Sequence, residues 1–266
     1  MSKRVILVTG ASAGMGLASA DHLQMKGWTV IGASRRGTFS GPWEPLAMDV
    51  DSLDSVNSGV EHIVTTHGRI DAVLACAGWG LAGPAERTPL ADAMAQMDSN
   101  FWGAVRVVNA VLPAMRSQGG GRILLVSSLG GLISIPFQSF YSASKFALEG
   151  YGEALAYEVA PFNIHVTLIE PGNFSTNFTA NRRTVARSVD DPYAVASAKA
   201  IATMERGEQN GADPRDVAKV VERVLSLRRP PRRISVGPFV ERVGLIAKRL
   251  LPFRIFEASA KKSLGV

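Results

Sequence analysis

A tyrosine and a lysine beside two serines are the residues of this chain whose types and spacing could carry out proton transfer. They lie in the stretch SSLGGLISIPFQSFYSASK, residues 127–145. Tyr141 and Lys145 are four residues apart, so a helix would place both side chains on one face, with Cβ atoms about 6 Å apart. A tyrosine has a pKa of about 10, and a neighbouring ammonium would favour the phenolate and lower that pKa. The alternative is an ordinary amphipathic helix that packs Tyr141 and leaves Lys145 in solvent.

A glycine-rich turn near the start of the chain could bind a phosphate-bearing ligand for this pair to act with. The first predicted strand continues into TGASAGMG, residues 9–16, and then into a helix. In such a turn Gly10 allows the tight bend, Gly14 lets the backbone approach a pyrophosphate, and Gly16 permits close packing of helix on strand. Ser12 and Met15 complete the predicted phosphate contacts. A purely structural strand-to-helix turn is the alternative.

The end of the second predicted strand bears on the choice of cofactor. A dinucleotide fold that binds NAD places an acid about twenty residues after the glycines, whereas this chain has Ser34, Arg35 and Arg36 in ASRRG. Guanidinium groups suit the extra phosphate of NADP, so NADP(H) is favoured over NAD(H). A solvated basic turn is the alternative. Asp49, followed by Val50 at the end of the third strand, could accept a hydrogen bond from the adenine amino group.

Short apolar runs alternate with longer helical stretches along the chain, and this order positions the candidate residues. The pattern predicts an α/β fold, a Rossmann-type doubly wound parallel β-sheet of about seven strands with helices on both faces, in a single domain over residues 1–266. The predicted strands are 4–9, 29–34, 44–48, 70–76, 121–128, 165–171 and 232–237. The predicted helices are 14–26, 52–67, 90–117, 140–160 and 213–228, with weaker helical signals at 193–206.

Two regions depart from this alternation. Residues 173–212 form a long insertion after the sixth strand, which indicates a substrate lid. From Pro238 onward a basic extension carries apolar residues near one helical face. These apolar residues are Phe239, Val240, Val243, Ile246, Leu250 and Leu251. Packing on the chain's own domain or on a partner subunit is favoured for this face, with contact to a membrane surface as the alternative.

Composition and charge exclude several classes of function. The net charge is +6, but residues 215–266 hold 13 Lys/Arg against 4 Asp/Glu, leaving 16 against 19 in the rest. No recognition motif accompanies the basic segment, so nucleic-acid binding is not expected. Cys76 is the single cysteine, which excludes an intrachain disulfide and favours a reducing, cytoplasmic setting. No metal site is predicted, and the apolar run VILV is too short for a signal peptide or a membrane span.

Together these motifs resemble the short-chain dehydrogenase/reductase family over nearly the whole chain, to about residue 237. The resemblance rests on TGASAGMG, Asp49, ACAG at 75–78, MDSNFWG, Ser128, YSASK and PG at 171–172. It implies that Asn100, Ser128, Tyr141 and Lys145 form the catalytic set. In that scheme Ser128 holds the substrate oxygen, Lys145 binds the nicotinamide ribose, and Asn100 bonds a backbone carbonyl and fixes a water that links Lys145 to solvent. Further cofactor contacts implied by the resemblance are Ala77, Gly78, Pro171, Gly172 and Thr176.

The resemblance also implies a function, with one departure. The chain resembles the branch that contains 17β-hydroxysteroid and retinol dehydrogenases, which implies an NADP(H)-dependent oxidoreductase for a bulky apolar ketone, aldehyde or alcohol, acting as a homodimer or homotetramer through helices 90–117 and 140–160. Ala75 and Cys76 stand where the family commonly has asparagine, so altered strand bonding is expected, with Cys76 as a small buried residue.

The side chains that could wall the substrate pocket are apolar, although each could equally be core. They are Trp79, Leu81, Leu129, Ile135, Phe137, Phe174 and Phe178. Arg182, Arg183 and Arg187 in the lid leave room for an acidic substrate tail, or form a solvated face. The other readings of the chain are a catalytically silent NADPH-binding sensor or scaffold and a reductase of acidic or acyl-thioester substrates.

Overall fold

A seven-stranded parallel sheet forms the centre of the computed structural model, which describes residues 3–37, 41–186 and 190–264. The nine strands in chain order are β1 (Val5–Thr9), β2 (Thr29–Ser34), β3 (Glu44–Ala47), β4 (Ala72–Ala75), β5 (Leu81–Ala82), β6 (Gly121–Val126), β7 (Ile164–Pro171), β8 (Arg183–Thr184) and β9 (Arg233–Val236). The large sheet has the order β3-β2-β1-β4-β6-β7-β9, with every pairing parallel. The predicted Rossmann-type sheet is confirmed.

The helices cover both faces of this sheet. They are α1 (Gly14–Met25), α2 (Leu53–His67), α3 (Leu90–Met97), α4 (Gly103–Ser117), α5 (Ser139–Glu158), α6 (Ala194–Gln209), α7 (Pro214–Ser226), α8 (Phe239–Leu250) and α9 (Phe253–Leu264). One apolar core lies under α2, α4 and α5, where Val107 and Leu148 are buried, and a second lies under α1 and α7 around Leu23 and Val221. Strands between two helical layers are buried on both faces, which explains why they read as continuous apolar runs. Since all seven strands share one sheet, we propose that the chain forms one domain.

The order of the strands determines where a ligand can bind. β1 is the third strand from one edge; the chain continues outward first through β2 and β3 and then, on the other side of β1, through β4, β6, β7 and β9. The carboxyl ends of β1 and β4 therefore flank the point where the strand order reverses. In open α/β sheets the ligand crevice lies at this point.

The sequence pattern missed three features of the fold. The helix predicted over 90–117 is divided into α3 and α4 by a π-helical turn at Asp98–Trp102. The insertion 173–212 contains the helix signalled at 193–206, as α6, but it is also tied down by a bridge between Phe174 and Ala212 and by the pairing of β8 with β5, which the sequence did not indicate. A further helix, α9, follows α8.

The C-terminal extension contacts the domain through a face that the sequence did not predict. Its apolar stripe does not pack on the chain's own domain, because all six of these side chains are exposed in the single chain; packing on a partner subunit stays a prediction. The helix α8 instead contacts the domain through its polar face, where Glu241 binds Asn173 and Lys248 binds the Leu132 carbonyl oxygen. In the described part of the chain no helix is long and apolar enough to cross a membrane.

Candidate active site

An elongated cleft of about 440 Å³ opens at the carboxyl ends of β1, β2 and β4. It is lined by most of the residues that the sequence predicted for cofactor binding. These are Gly10, Ser12, Gly14, Met15, Gly16, Ser34, Arg35, Arg36, Asp49, Val50, Ala77, Gly78 and Thr176. The cleft walls also include residues that sequence reasoning missed, among them Asp51, Ala95, Ser99, Asn177 and Asn181.

The glycines of the TGASAGMG turn are required by close backbone contacts. Gly10 has φ +69°, and a Cβ there would lie 2.9 Å from the Cα of Ala77. At Gly16 a Cβ would lie 2.3 Å from the carbonyl oxygen of Gly10. Ala13, which precedes α1, offers no side-chain cap to the first amides of that helix. Free amides at a helix N-terminus suit a phosphate group, so the turn fits the pyrophosphate of a dinucleotide.

The far end of the cleft combines two cations with two acids. Arg35 and Arg36 are exposed at the end of β2, and neither forms a salt bridge within the described ranges. Asp49 accepts a hydrogen bond from the backbone of Asp51, while the Asp51 carboxylate accepts one from Ser99 at 2.9 Å. Burial raises the pKa of Asp51, and Ser99 and Arg35 oppose that rise. The two guanidinium groups are therefore available for an anionic group of the ligand.

Ser128 and Tyr141 do not line the cleft itself but lie behind its wall, where Phe178 packs against the Tyr141 ring. The hydroxyl of Ser128 accepts a 3.0 Å hydrogen bond from the Gly130 amide, and both Ser128 and the Tyr141 ring lie beside Gly130. Tyr141 is buried on α5, and burial raises its pKa to about 12, with Glu208 raising it further and Ser128 and Arg182 opposing. The sequence predicted a pKa of Tyr141 lowered by the ammonium together with a bound cofactor. In the protein alone the loss of solvent disfavours the phenolate more than its neighbours favour it, so the lowering stays a prediction for the cofactor-bound enzyme.

Lys145 lies beneath this pair. Its Nζ atom is 5.9 Å from the centre of the Tyr141 ring and donates a 2.9 Å hydrogen bond to the Val126 carbonyl oxygen. Burial lowers the pKa of Lys145 to about 8, whereas Cys76 and Glu149 oppose the shift. The ammonium is thus held by the end of β6, and it is not among the groups that set the pKa of Tyr141.

Asn100 reaches the site from the π-helical turn between α3 and α4. Its Oδ1 atom accepts a hydrogen bond from the Trp79 amide, and its Nδ2 atom donates to the Trp79 carbonyl oxygen, both at 3.0 Å. Nδ2 also contacts the Ser144 hydroxyl at 3.2 Å. Asn100 is fully buried, and it fixes the loop after β4 against the helix that carries Tyr141 and Lys145.

Comparison with known proteins agrees with this arrangement. Residues 4–186 match the family model described as short chain dehydrogenase. The chain belongs to the short-chain dehydrogenase family. It is an oxidoreductase of that family, and the resemblance seen in the sequence is confirmed.

Three relatives illustrate the similarity. The chain is 40% identical over 254 residues to 3-ketodihydrosphingosine reductase of Bacteroides thetaiotaomicron, covering 95% of this chain and 94% of that protein. It is 35% identical over 252 residues to retinol dehydrogenase 8 of Bos taurus, covering 86% and 80%. The crystal structure of a short-chain dehydrogenase from Streptomyces avermitilis superposes with a TM-score of 0.84 at 30% identity, covering 100% of this chain and 98% of that one.

In this dehydrogenase the lid encloses the catalytic tyrosine candidate. The Phe178 ring packs against the Tyr141 ring, with centroids 5.8 Å apart. Arg182 is buried and forms an ion pair with Glu208 of α6, whose carboxylate also accepts a hydrogen bond from Thr179. Two of its nitrogens, Nε and Nη1, have no partner among the described residues. Arg182 therefore does not lie on a solvated lid face.

The other wall and lid candidates have different surroundings. Phe174 belongs to the core with Val221, and Leu81 is buried in β5. Ile135 and Phe137 pack against a small cluster that includes Met204 of α6. Trp79 lines the cofactor cleft under the Arg183 guanidinium, which lies 4.4 Å from its ring centre. Leu129 lies beside Gly172, and Arg187 is outside the described residues.

Pro171 and Gly172, at the end of β7, do not line the cleft itself. Pro171 is buried, and its carbonyl oxygen lies 3.5 Å from the Ser128 hydroxyl. A Cβ on Gly172 would lie 2.1 Å from the Glu241 carboxylate of α8. The C-terminal extension of this dehydrogenase is therefore in contact with the loop that follows β7.

The ACAG stretch is tied to β1 through the Thr9 hydroxyl. This oxygen accepts hydrogen bonds from the amides of Cys76 and Ala77, at 3.1 and 3.2 Å. Burial raises the pKa of the Cys76 thiol to about 11, with Lys145 opposing. A thiol with such a pKa stays protonated at neutral pH, and it is a poor nucleophile.

Proposed function

We propose that this dehydrogenase is an NADP(H)-dependent enzyme that interconverts a ketone or aldehyde with an alcohol on a bulky apolar molecule. The grouping of Ser128 and Tyr141 around Gly130, beside a cleft that fits a dinucleotide, is the observation that carries the proposal. A carbonyl oxygen placed between the two hydroxyls would find two hydrogen-bond donors. Such a pair stabilises the alkoxide that develops during reduction.

The chain's own residues have separate roles in proton transfer, in orienting the substrate and in holding the cofactor. The bound nicotinamide cofactor supplies or accepts the hydride. Tyr141, whose pKa is raised to about 12, holds its proton at neutral pH and donates it to the developing alkoxide. Ser128 orients the carbonyl oxygen. Lys145 holds the ribose hydroxyls of the cofactor, and Asn100 fixes the backbone of Trp79 beside it.

The preference for NADP(H) is proposed from the two free cations at the end of β2. Arg35 and Arg36 line the cleft and are exposed, so each can bind the 2′-phosphate without breaking an existing ion pair. Charge-assisted hydrogen bonds of this kind contribute about 1.5–3 kcal/mol each. A reducing, cytoplasmic setting is proposed with this cofactor, from the single cysteine, Cys76, which is half-buried in the cleft wall instead of fully buried as the sequence suggested.

The proposed substrate has a long apolar chain and a polar group close to the carbonyl. The bacterial relative is named for 3-ketodihydrosphingosine, whose ketone stands next to an ammonium group and a long alkyl chain. Glu208 is an acid whose charge raises the pKa of Tyr141; although it is paired with Arg182, we propose that its charge also favours a substrate cation beside the carbonyl. Phe178 and Phe137 offer apolar surface for the alkyl chain.

A substrate panel with NADPH tests this proposal. NADPH oxidation is measured with 3-ketodihydrosphingosine, retinaldehyde, a ketosteroid and an acetoacetyl thioester. We expect the first to be reduced best, Tyr141→Phe to lower kcat by about 10²–10⁴-fold, and exposed Tyr157→Phe to keep full activity. Tight NADPH binding without turnover on any ketone would favour the silent sensor. Best activity on the thioester would favour the acidic-substrate reading.

Self-association is proposed through the apolar groove between α3 and α5. The groove is lined by Leu90, Met94, Trp102 and Phe140, and the first three are exposed. Burying these side chains against a second copy would stabilise a homodimer or homotetramer. Light scattering on the purified protein, compared with a Met94→Glu and Trp102→Glu variant, would show a monomer for the variant.

A further inference from the structure

The helix α8 presents a continuous apolar stripe to solvent. Phe239, Val243, Ile246 and Leu250 follow one another at spacings of four, three and four residues, which places them within one narrow sector of a helix. Their exposed fractions are 75%, 40%, 58% and 76%. Isolated exposed apolar residues are common, but a contiguous stripe of this size marks an interaction surface.

The orientation of this stripe is fixed by the opposite face of α8. Glu241 accepts hydrogen bonds of 2.8 and 2.7 Å from the backbone and side-chain amides of Asn173. About two turns later Lys248 donates to the Leu132 carbonyl oxygen and lies 5.2 Å from the Phe146 ring. Because these contacts hold the polar face against the domain, the apolar stripe points away from the domain.

The apolar surface continues beyond α8 and is bordered by cations. Leu251, Phe253 and Ile255 are also exposed, so the stripe runs into the first turn of α9. The neighbouring arginines are Arg242, Arg249 and Arg254, and in the described ranges none of them forms a salt bridge. Residues 239–262 hold six Lys/Arg and two Glu, and both glutamates are already bound, Glu241 to Asn173 and Glu257 to Lys261.

We propose that α8 and the first turn of α9 bind the surface of an anionic lipid bilayer, with the stripe inserted among the acyl chains and the arginines at the phosphates. An amphipathic helix with large apolar residues on one face and Lys/Arg beside them has this mode of binding. Basic residues beside the stripe add electrostatic attraction to an anionic surface. Pairing with a second copy fits less well, because a twofold contact along this stripe would bring Arg242 and Arg249 of both copies close together.

The location of the surface gives it a use beyond anchoring. α8 contacts Asn173 and Leu132, which follow β7 and Ser128 in the chain, so the bilayer would meet the protein beside the candidate active site. A substrate with a long alkyl chain is concentrated in the bilayer rather than in water. Membrane contact itself does not depend on which substrate is reduced, so it is tested separately from the proposed function.

Vesicle co-sedimentation of the purified full chain tests this proposal. The vesicles contain phosphatidylcholine alone or with about 30% phosphatidylserine, at low and at high salt. We expect sedimentation with the anionic vesicles at low salt, and at least about tenfold weaker binding at high salt or with phosphatidylcholine alone. A triple variant of the stripe, Phe239→Ser, Ile246→Ser and Leu250→Ser, is expected to lose binding at least about tenfold.

A matched control replaces three apolar residues that are equally exposed elsewhere. Met25→Ser, Leu53→Ser and Val195→Ser lie on α1, α2 and α6, and this triple variant is expected to bind as the unchanged protein does. Circular dichroism and thermal unfolding establish that both variants are folded. The proposal is overturned if the unchanged protein does not bind anionic vesicles, or if both triple variants bind them equally. If the unchanged protein does not bind vesicles and the stripe variant has a lower mass than it in light scattering, the stripe is a contact with a second copy of the chain.

Discussion

The Nζ atom of Lys145 donates a 2.9 Å hydrogen bond to the carbonyl oxygen of Val126, the last residue of β6. This bond holds a buried ammonium at the base of the site, where burial lowers its pKa to about 8 from 10.5. In the unfolded chain the same lysine keeps its ordinary pKa. The difference links proton binding to folding.

Lys145→Met is predicted to change the pH dependence of stability. Below pH 8 the lysine is charged in both states, so the folded protein bears the full cost of burying it. Between pH 8 and 10.5 the unfolded chain binds more protons, and stability therefore rises with pH by up to ~3 kcal/mol. In the methionine variant this rise is absent. Urea unfolding at several pH values measures the difference.

The raised pKa of Tyr141 does not affect the comparison between the unchanged protein and Lys145→Met. It makes stability fall above pH 10 in both proteins, and so it cancels in the difference. Lys219→Met, at an exposed position on α7, is the control and should follow the unchanged protein. An identical pH dependence for Lys145→Met and the unchanged protein would contradict the buried charge.

Arg35→Ala with Arg36→Ala is predicted to remove the preference for NADPH. Without the two guanidinium groups the 2′-phosphate loses its charge-assisted bonds, which corresponds to an increase of about 10–100-fold in the KM for NADPH. The KM for NADH should change by less than about threefold. Steady-state kinetics with each cofactor measures this, and Arg215→Ala, far along the chain on α7, is the control. A parallel loss with both cofactors would mean that the arginines do not select the phosphate.

Alanine at two glycines is predicted to have opposite effects. At Gly16 the added Cβ would lie 2.3 Å from the backbone oxygen of Gly10, and such overpacking costs about 1–3 kcal/mol. At Gly150, on an exposed turn of α5, no atom lies within 4 Å of the added Cβ, and alanine stabilises a helix by about 0.5–1 kcal/mol. Thermal unfolding should give a lower Tm for Gly16→Ala and a higher Tm for Gly150→Ala. Equal shifts would refute the close contact.

Glu241→Ala is predicted to release α8 from the domain. The variant loses both hydrogen bonds to Asn173, each contributing about 1.5–3 kcal/mol as a bond to a charged group. Hydrogen exchange of the α8 amides should accelerate at least about tenfold. Glu257→Ala removes only an exposed pair with Lys261 and should leave α8 unchanged. If both variants exchange alike, other contacts hold this helix.

The strands were predictable to within about two residues, because strands buried on both faces leave continuous apolar runs. The pairing of β5 with β8 was not, since two-residue strands depend on a contact made after folding. The π-helical turn at Asn100 also escaped, because a single extra residue changes the apolar spacing very little. Exposure of the stripe on α8 could not be read from periodicity, which shows that a face is apolar but does not show what covers it.

The candidate site likewise contains residues that the sequence could predict and residues that it could not. The glycines, Arg35 and Tyr141 lie in contiguous motifs, so residue types and spacing were enough to find them. Glu208 was missed because it reaches the Tyr141 region only through the fold of the lid. The raised pKa of Tyr141 in the protein alone could not be read from the sequence, because spacing reveals neighbours but does not reveal how much water the fold removes.

The strand order also bears on how the protein forms during synthesis. The four neighbouring strands β3, β2, β1 and β4 are all complete by Ala75, and they carry the glycine turn and the two arginines that we propose select the cofactor. Chains emerge from the ribosome N-terminus first, and segments can begin to fold as they emerge. The half of the sheet that we propose binds the nucleotide is therefore available to fold while the half that carries Ser128 and Tyr141 is still being translated. A nascent chain would then be able to bind its cofactor before its catalytic residues are in place.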